Sequence, residues 1–135
     1  QGVRDSPRPE PMPKPSPAPK PDRLFGAENG MLLGGAGDLV EVFFPGRGHS
    51  PDNLVVYFHR KKILFGGCLI LAGDAVGNRA DADLARWSRS LDELSRFPAE
   101  LVVPGHGARR DLELIAHSRR VLASETGAPY SRLGP

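Results

Sequence analysis

A single cysteine, Cys68, stands in the 135 residues, so no internal disulfide can brace the chain and pairing says nothing about its compartment. There is no apolar run approaching the length of a membrane span, so no spanning helix is expected within these residues. The first residues lack the basic, apolar, small-residue order of a signal peptide. A basic stripe with interleaved aromatics is also missing. Net charge is only +2, and the arginines sit among acids (Arg86, Arg89, Asp92, Glu93, Arg96), the pattern of a solvated helix face. Nucleic-acid binding is therefore not expected, and neither is membrane insertion.

What is there suits a small globular unit. Hydrophobic residues make up 39% and charged residues 25%, ordinary values for a folded domain. The apolar residues begin in earnest only after residue 31. That leaves roughly 105 residues to build a core, enough to be stable but with little to spare. The expected division is a proline-rich extended segment over 1–30, a folded unit over 31–125 and a tail over 126–135.

Within the first segment, residues 7–21 (PRPEPMPKPSPAPKP) carry proline at every second position. Proline fixes its own φ and pushes its predecessor out of the helical region, so an extended polyproline-II rod of about 45 Å is expected. A stiff linker is the plain reading, and a ligand for an SH3-like partner is the functional rival. Residues 26–38 are glycine-rich around a short apolar patch and read as turns.

From Leu39 the pattern becomes regular. LVEVFF (39–44), NLVVYF (53–58), KILF (62–65) and LVVP (101–104) read as strands, with a polar turn at His59–Lys61 joining the middle two. Residues 81–97 place Leu84, Trp87, Leu91 and Leu94 on one helical face, with Asp81 as the expected N-cap and Pro98 as the stop. Residues 111–124 carry a weaker stripe through Leu112, Ile115, Val121 and Leu122. Strands, helix, strand, helix make the class α/β.

Three segments each set a possible metal ligand at a strand end beside glycines: PGRGHSPDN with His49, LFGGC with Cys68, and VVPGHG with His106. Imidazole and thiolate are favoured zinc donors, and strand ends are where loops converge on a rigid sheet. Each has a plain alternative. A lone cysteine commonly packs as a small hydrophobe, and a lone histidine after a strand commonly makes a surface hydrogen bond. His59 and His117 are expected to face solvent or pack, without a functional role.

Taken in order and spacing, PGRGHSPDNLVVYF, KILFGGC, GNRADADLARW and ELVVPGHG resemble the C-terminal half of class B metallo-β-lactamases. They are most similar to the two-zinc subclass with a cysteine ligand. The resemblance runs from about residue 39 to residue 123, and GGC is its discriminating element, since other hydrolases of the superfamily generally carry aspartate there. It implies an α/β fold, the C-terminal half of an αββα sandwich with a proline-rich N-terminal extension. It also implies a zinc-dependent hydrolase of β-lactams that is periplasmic or secreted. By the same resemblance His49 serves a first zinc, while Cys68 and His106 serve a second. Asn78 polarises the lactam carbonyl, although a plain turn leading into the helix explains it equally.

The sequence departs from the family pattern twice. The His-x-His-x-Asp motif that supplies the other three ligands is absent, for none of the four histidines lies two residues from another. The lysine that in many members holds the substrate carboxylate is replaced by Leu71, and no basic residue lies between Cys68 and Asn78. Arg79 and Arg47 are the candidate substitutes, with Arg79 and Asn78 the expected substrate contacts. Three readings follow: part of a lactamase, a half-domain that binds zinc weakly and needs a partner chain over its apolar face, or a hydrolase of another lactone or thioester. GGC argues against the last.

Overall fold

A computed structural model describes residues 20–24, 26, 30–35 and 37–127. The alternating-proline run lies outside the described residues except for its last two, and the tail lies outside them beyond Gly127. No helix among the described residues is long and apolar enough to cross a membrane.

Five strands form one sheet in chain order: β1 (Met31–Leu33), β2 (Val40–Phe43), β3 (Val55–Phe58), β4 (Ile63–Gly67) and β5 (Leu101–Pro104). Strands β1 to β4 are antiparallel neighbours, whereas β5 runs parallel to β4. The parallel pair needs a crossover, which is supplied by α1 (Leu84–Asp92) and the 3-10 turn Glu93–Arg96. A final helix, α2 (Leu114–Thr126), packs against α1 and β5.

Four strands fall where their β-branched and aromatic runs predict them. The fifth, β1, does not, because it forms inside the glycine-rich stretch expected to be turns. Its Met31–Leu33 patch pairs with Val40–Val42 across the glycines, an arrangement only the partner strand specifies. The caps also differ from expectation. Asp83 rather than Asp81 caps α1, its carboxylate accepting from Arg86 N–H at 3.1 Å. Residues 79–82 are drawn into a turn, and the Asp83 N–H donates to the Gly48 carbonyl at 2.7 Å, so the helix starts two residues later. Helix α2 starts at Leu114, not 111, because the Asp111 carboxylate is taken by Arg109. Leu112 therefore lies outside the helix and is exposed. Gly127 ends it in the left-handed conformation at φ +66°.

Strand pleating sorts the side chains into two faces. Toward the helices, Val55, Tyr57, Leu64 and Val102 are buried against Trp87, Leu91, Leu94, Phe97, Leu114 and Leu122. By the pairing register, the opposite face carries Met31, Leu33, Val40, Val42, Val56, Phe58, Ile63, Phe65, Leu101 and Val103. All ten are apolar and none is buried. One side of the sheet is thus a core and the other an open apolar surface, as the half-sandwich reading expects.

Candidate metal centre and its cavity

Register places the three sequence-selected ligands at one end of the sheet. Phe43 at the end of β2 pairs with Val55 at the start of β3, and Val56 pairs with Phe65 near the end of β4. Gly67 at the end of β4 pairs with Pro104 at the end of β5. The loops leaving β2, β4 and β5 therefore emerge together, and they carry His49, Cys68 and His106.

Each loop is held by its own device. Asn53, buried at 8% exposure, closes the 46–53 loop: its amide donates to the Gly46 and Ser50 carbonyls at 3.1 and 2.7 Å, and its oxygen accepts from Ser50 N–H at 2.9 Å. Gly67 sits at φ +54° directly before Cys68, beside a register shift in β4, and turns the chain out of the strand. Gly105 meets β4 so closely that an added Cβ would lie 2.8 Å from the Gly67 carbonyl carbon. Its N–H donates to the Gly67 oxygen at 2.8 Å.

The result brings Cys68 Sγ to 3.4 Å from His106 Nε2. Zinc bound tetrahedrally by sulfur at about 2.3 Å and nitrogen at about 2.0–2.1 Å sets those two atoms about 3.6 Å apart. The pair therefore fits one zinc as two of its four donors. His49 lines the same cavity but is not drawn into that pair, and its ring lies 5.6 Å from that of Trp87. Its Nδ1 is buried without a hydrogen-bond partner among the described residues. No three His, Cys, Asp or Glu side chains converge among the described residues.

His49, Cys68 and His106 open on a cavity of about 540 Å³ walled by the 70–78 segment and by Gly107–Arg109. Its volume lies within the usual range for small-molecule sites. Asn78 is on the wall. Its Oδ1 accepts from Ala80 N–H at 3.1 Å, so the turn function expected of it is real, and its amide group remains available to a ligand. Arg79 is not on the wall but is ion-paired with Glu125 of α2. Arg47 borders a different groove, beside α1.

Three residues to which the sequence assigns no place at the site hold the cavity segment. The Trp87 indole donates to the Leu69 carbonyl at 2.8 Å. Ser118, fully buried on α2, donates to the Leu114 carbonyl at 2.7 Å and accepts from Leu71 N–H at 2.8 Å. His117 Nε2 lies 2.9 Å from the Gly73 carbonyl, so of the two expectations for this histidine, solvent or packing, it takes the second and ties the segment to α2. The sequence signal for Ser118 was a polar residue four past Leu114 and three before Val121, inside the apolar stripe. Ser118→Ala is expected to cost about 1–3 kcal/mol in urea unfolding, since it strands a buried N–H. An unchanged midpoint would mean that Leu71 N–H finds water.

Arg109, also unforeseen, lies on the wall and is gripped by Asp111, with Nε to Oδ2 at 2.7 Å and an Nη to Oδ1 at 3.1 Å. That contact, more than any other, holds the Asp111 carboxyl below the usual carboxylate range. Asp111 thus remains ionised at any pH near neutrality, and the pair dissolves only as pH falls through that lowered value.

A mixed sheet backed by helices thus sets one thiol and one imidazole side by side at the strand ends, over a cavity that His49 also lines. The profile of the metallo-beta-lactamase superfamily matches residues 3–106, and the chain belongs to that superfamily. It is 40% identical over 87 residues to a type 2 metallo-beta-lactamase of Bacteroides fragilis, covering 62% of this chain and 35% of that one. Against the type 2 enzyme of Bacillus cereus the identity is 44% over 87 residues, 62% of this chain and 34% of that one. Among solved structures, a metallo-beta-lactamase from Pontibacter korlensis superposes with a TM-score of 0.69 at 42% identity, covering 76% of this chain and 48% of that chain. The chain thus spans about a third of the length of these curated relatives and about half of that structure. It corresponds to a half-domain of the fold.

Proposed function

We propose that this chain carries one side of the metal centre of a zinc-dependent β-lactam hydrolase, with Cys68 and His106 as two donors to one ion and His49 as a donor to a second. The observation that carries the reading is the 3.4 Å approach of Cys68 Sγ to His106 Nε2 beside a cavity of small-molecule size. Zinc held by these residues would supply Lewis-acid chemistry, so that opening a strained amide would need no side-chain nucleophile. The chain's own residues supply the setting. Ile70, Leu71 and Val76 give the cavity an apolar wall from which water is easily displaced. The Asn78 amide is suited to donate to a lactam carbonyl, its oxygen being occupied by Ala80. The relatives' names support the substrate class, and the family resemblance alone supports a periplasmic or secreted place of action.

A second reading is favoured by the donor count. With no three donors converging among the described residues, the isolated chain holds zinc weakly and needs further donors from another polypeptide segment. The open apolar sheet face supports the same view.

Equilibrium dialysis of the purified chain against zinc tests both. Cys68→Ser is expected to weaken zinc binding at least tenfold, roughly the least that losing even an outer-shell partner of a metal costs. Unchanged affinity and stoichiometry would make Cys68 a packing residue and sink the metal assignment. Cephalosporin turnover by the chain alone is expected to be negligible. Robust zinc-dependent hydrolysis would instead overturn the second reading.

A further inference from the structure

The residues of the 70–78 segment that line the cavity are neutral, Asp74 being off the wall, and one lining residue, Arg109, is a cation, with Asp111, Glu113 and Asp74 as its acidic neighbours. Among the lining residues only Arg109 is a lysine or arginine. It sits three residues past His106 on the same loop, so a molecule held near the Cys68–His106 pair lies within reach of its guanidinium.

Arg109 is also oriented. A guanidinium has five N–H donors in a rigid planar fork. Asp111 engages one edge through Nε and one Nη, and the remaining donors have no protein partner among the described residues. Two carboxylates can share one guanidinium along different edges, because the fork is planar and its donors diverge. Asp111 therefore restrains the side chain without filling it. An unrestrained arginine pays rotamer entropy on binding an anion, and one already braced loses less.

The other basic candidates are disposed of by geometry. Arg79 is paired with Glu125 on α2 and is not on the wall. Arg47 borders the groove beside α1. Leu71, where the family resemblance leads one to look for a lysine, is buried with its backbone N–H on Ser118. The 70–78 segment thus brings no cation to the cavity, and the loop after His106 brings one.

We propose that Arg109 is the specificity-determining anchor of this cavity, binding the carboxylate of the small molecule whose reacting carbonyl lies at the Cys68–His106 end. The assignment rests on the hydrolase reading above and deepens it, by moving carboxylate recognition from the segment after the cysteine to the loop after His106.

The test uses the full zinc-equilibrated chain, with benzylpenicillin and its methyl ester as probes, followed by amide chemical-shift titration. Wild-type protein is expected to bind the acid at least about tenfold more tightly than the ester, with shifts at 71–78 and 107–109; tenfold corresponds to about 1.4 kcal/mol. Arg109→Ala is expected to remove that difference while leaving zinc affinity unchanged, and Arg109→Lys to keep part of it. Equal binding of acid and ester by the wild type, no shift with either, or full discrimination in Arg109→Ala would each overturn the proposal. Cys68→Ser separates the two ideas. Loss of zinc with discrimination intact leaves the anchor standing, whereas an unaltered zinc affinity sinks only the metal assignment. Should Arg109→Ala lose its fold, the Arg109→Lys titration decides: discrimination that is reduced but retained supports the anchor, and discrimination that is unchanged or absent overturns it.

Discussion

Trp87→Ala is expected to abolish or nearly abolish cooperative folding, with far-UV circular dichroism during urea unfolding as the measurement. Trp87 is fully buried in the core, and it contacts the loops that hold both His49 and the cavity segment. Removing so large a buried side chain typically costs about 3–5 kcal/mol. Domains of ordinary size have about 5–15 kcal/mol in all, and one that leaves a whole sheet face open stands at the lower end. The substitution also strands the Leu69 carbonyl, which loses its indole donor. Trp87→Phe separates the two effects, because it keeps most of the packing and loses the hydrogen bond. It is expected to cost less, about 1–3 kcal/mol for the unpaired carbonyl plus a smaller cavity. A Trp87→Ala protein that unfolds at the wild-type urea concentration would show that the helix layer does not stabilise the sheet.

Gly105→Ala is expected to damage the site more than the fold. An added Cβ meets the Gly67 carbonyl carbon at 2.8 Å, Cys68 N at 3.0 Å and Gly67 O at 3.1 Å. All three are backbone atoms of β4 and its exit, so no side chain can swing aside to relieve the contact. The loops bearing Cys68 and His106 must separate, and the 3.4 Å approach that suits one zinc is lost. Stability is expected to fall by about 1–3 kcal/mol, while zinc affinity falls at least about tenfold. Gly73→Ala is the control, since nothing lies within 4 Å of its added Cβ. Cobalt titration, read through the thiolate charge-transfer band, compares the two directly. Equal spectra and affinities in Gly105→Ala and wild type would mean that the Cys68–His106 spacing is not set by the β4–β5 contact.

The parts legible in the sequence are those fixed by local pattern. Alternating and β-branched runs located β2, β3, β4 and β5, and the three-four spacing of Trp87, Leu91 and Leu94 located α1, the 3-10 turn that continues it and their buried face. Glycine beside a donor at each strand end marked His49, Cys68 and His106, and the register then placed all three at one end of the sheet. What local pattern missed was decided by distant partners. Strand β1 exists because β2 offers an edge to three residues between glycines. Asp83 displaces Asp81 as a cap because the Gly48 carbonyl captures the Asp83 N–H from 35 residues away. Arg109 reads as one more surface arginine until the fold sets its loop against the cavity. Ser118, which no local pattern singles out, is the pin between α2 and Leu71.

The single sheet has two faces that govern different properties. On the helix side every substitution is weighed against close packing, so changes there are read in the unfolding midpoint. On the other side the ten apolar side chains, Phe58 and Phe65 the most prominent, lie against no layer of the described chain. Changes there leave the packed core untouched and act on what the molecule does in company, because an apolar surface of this kind raises the tendency to associate as concentration rises. Thermal resistance and colloidal behaviour are therefore separable in this protein, each written on its own side of the same five strands.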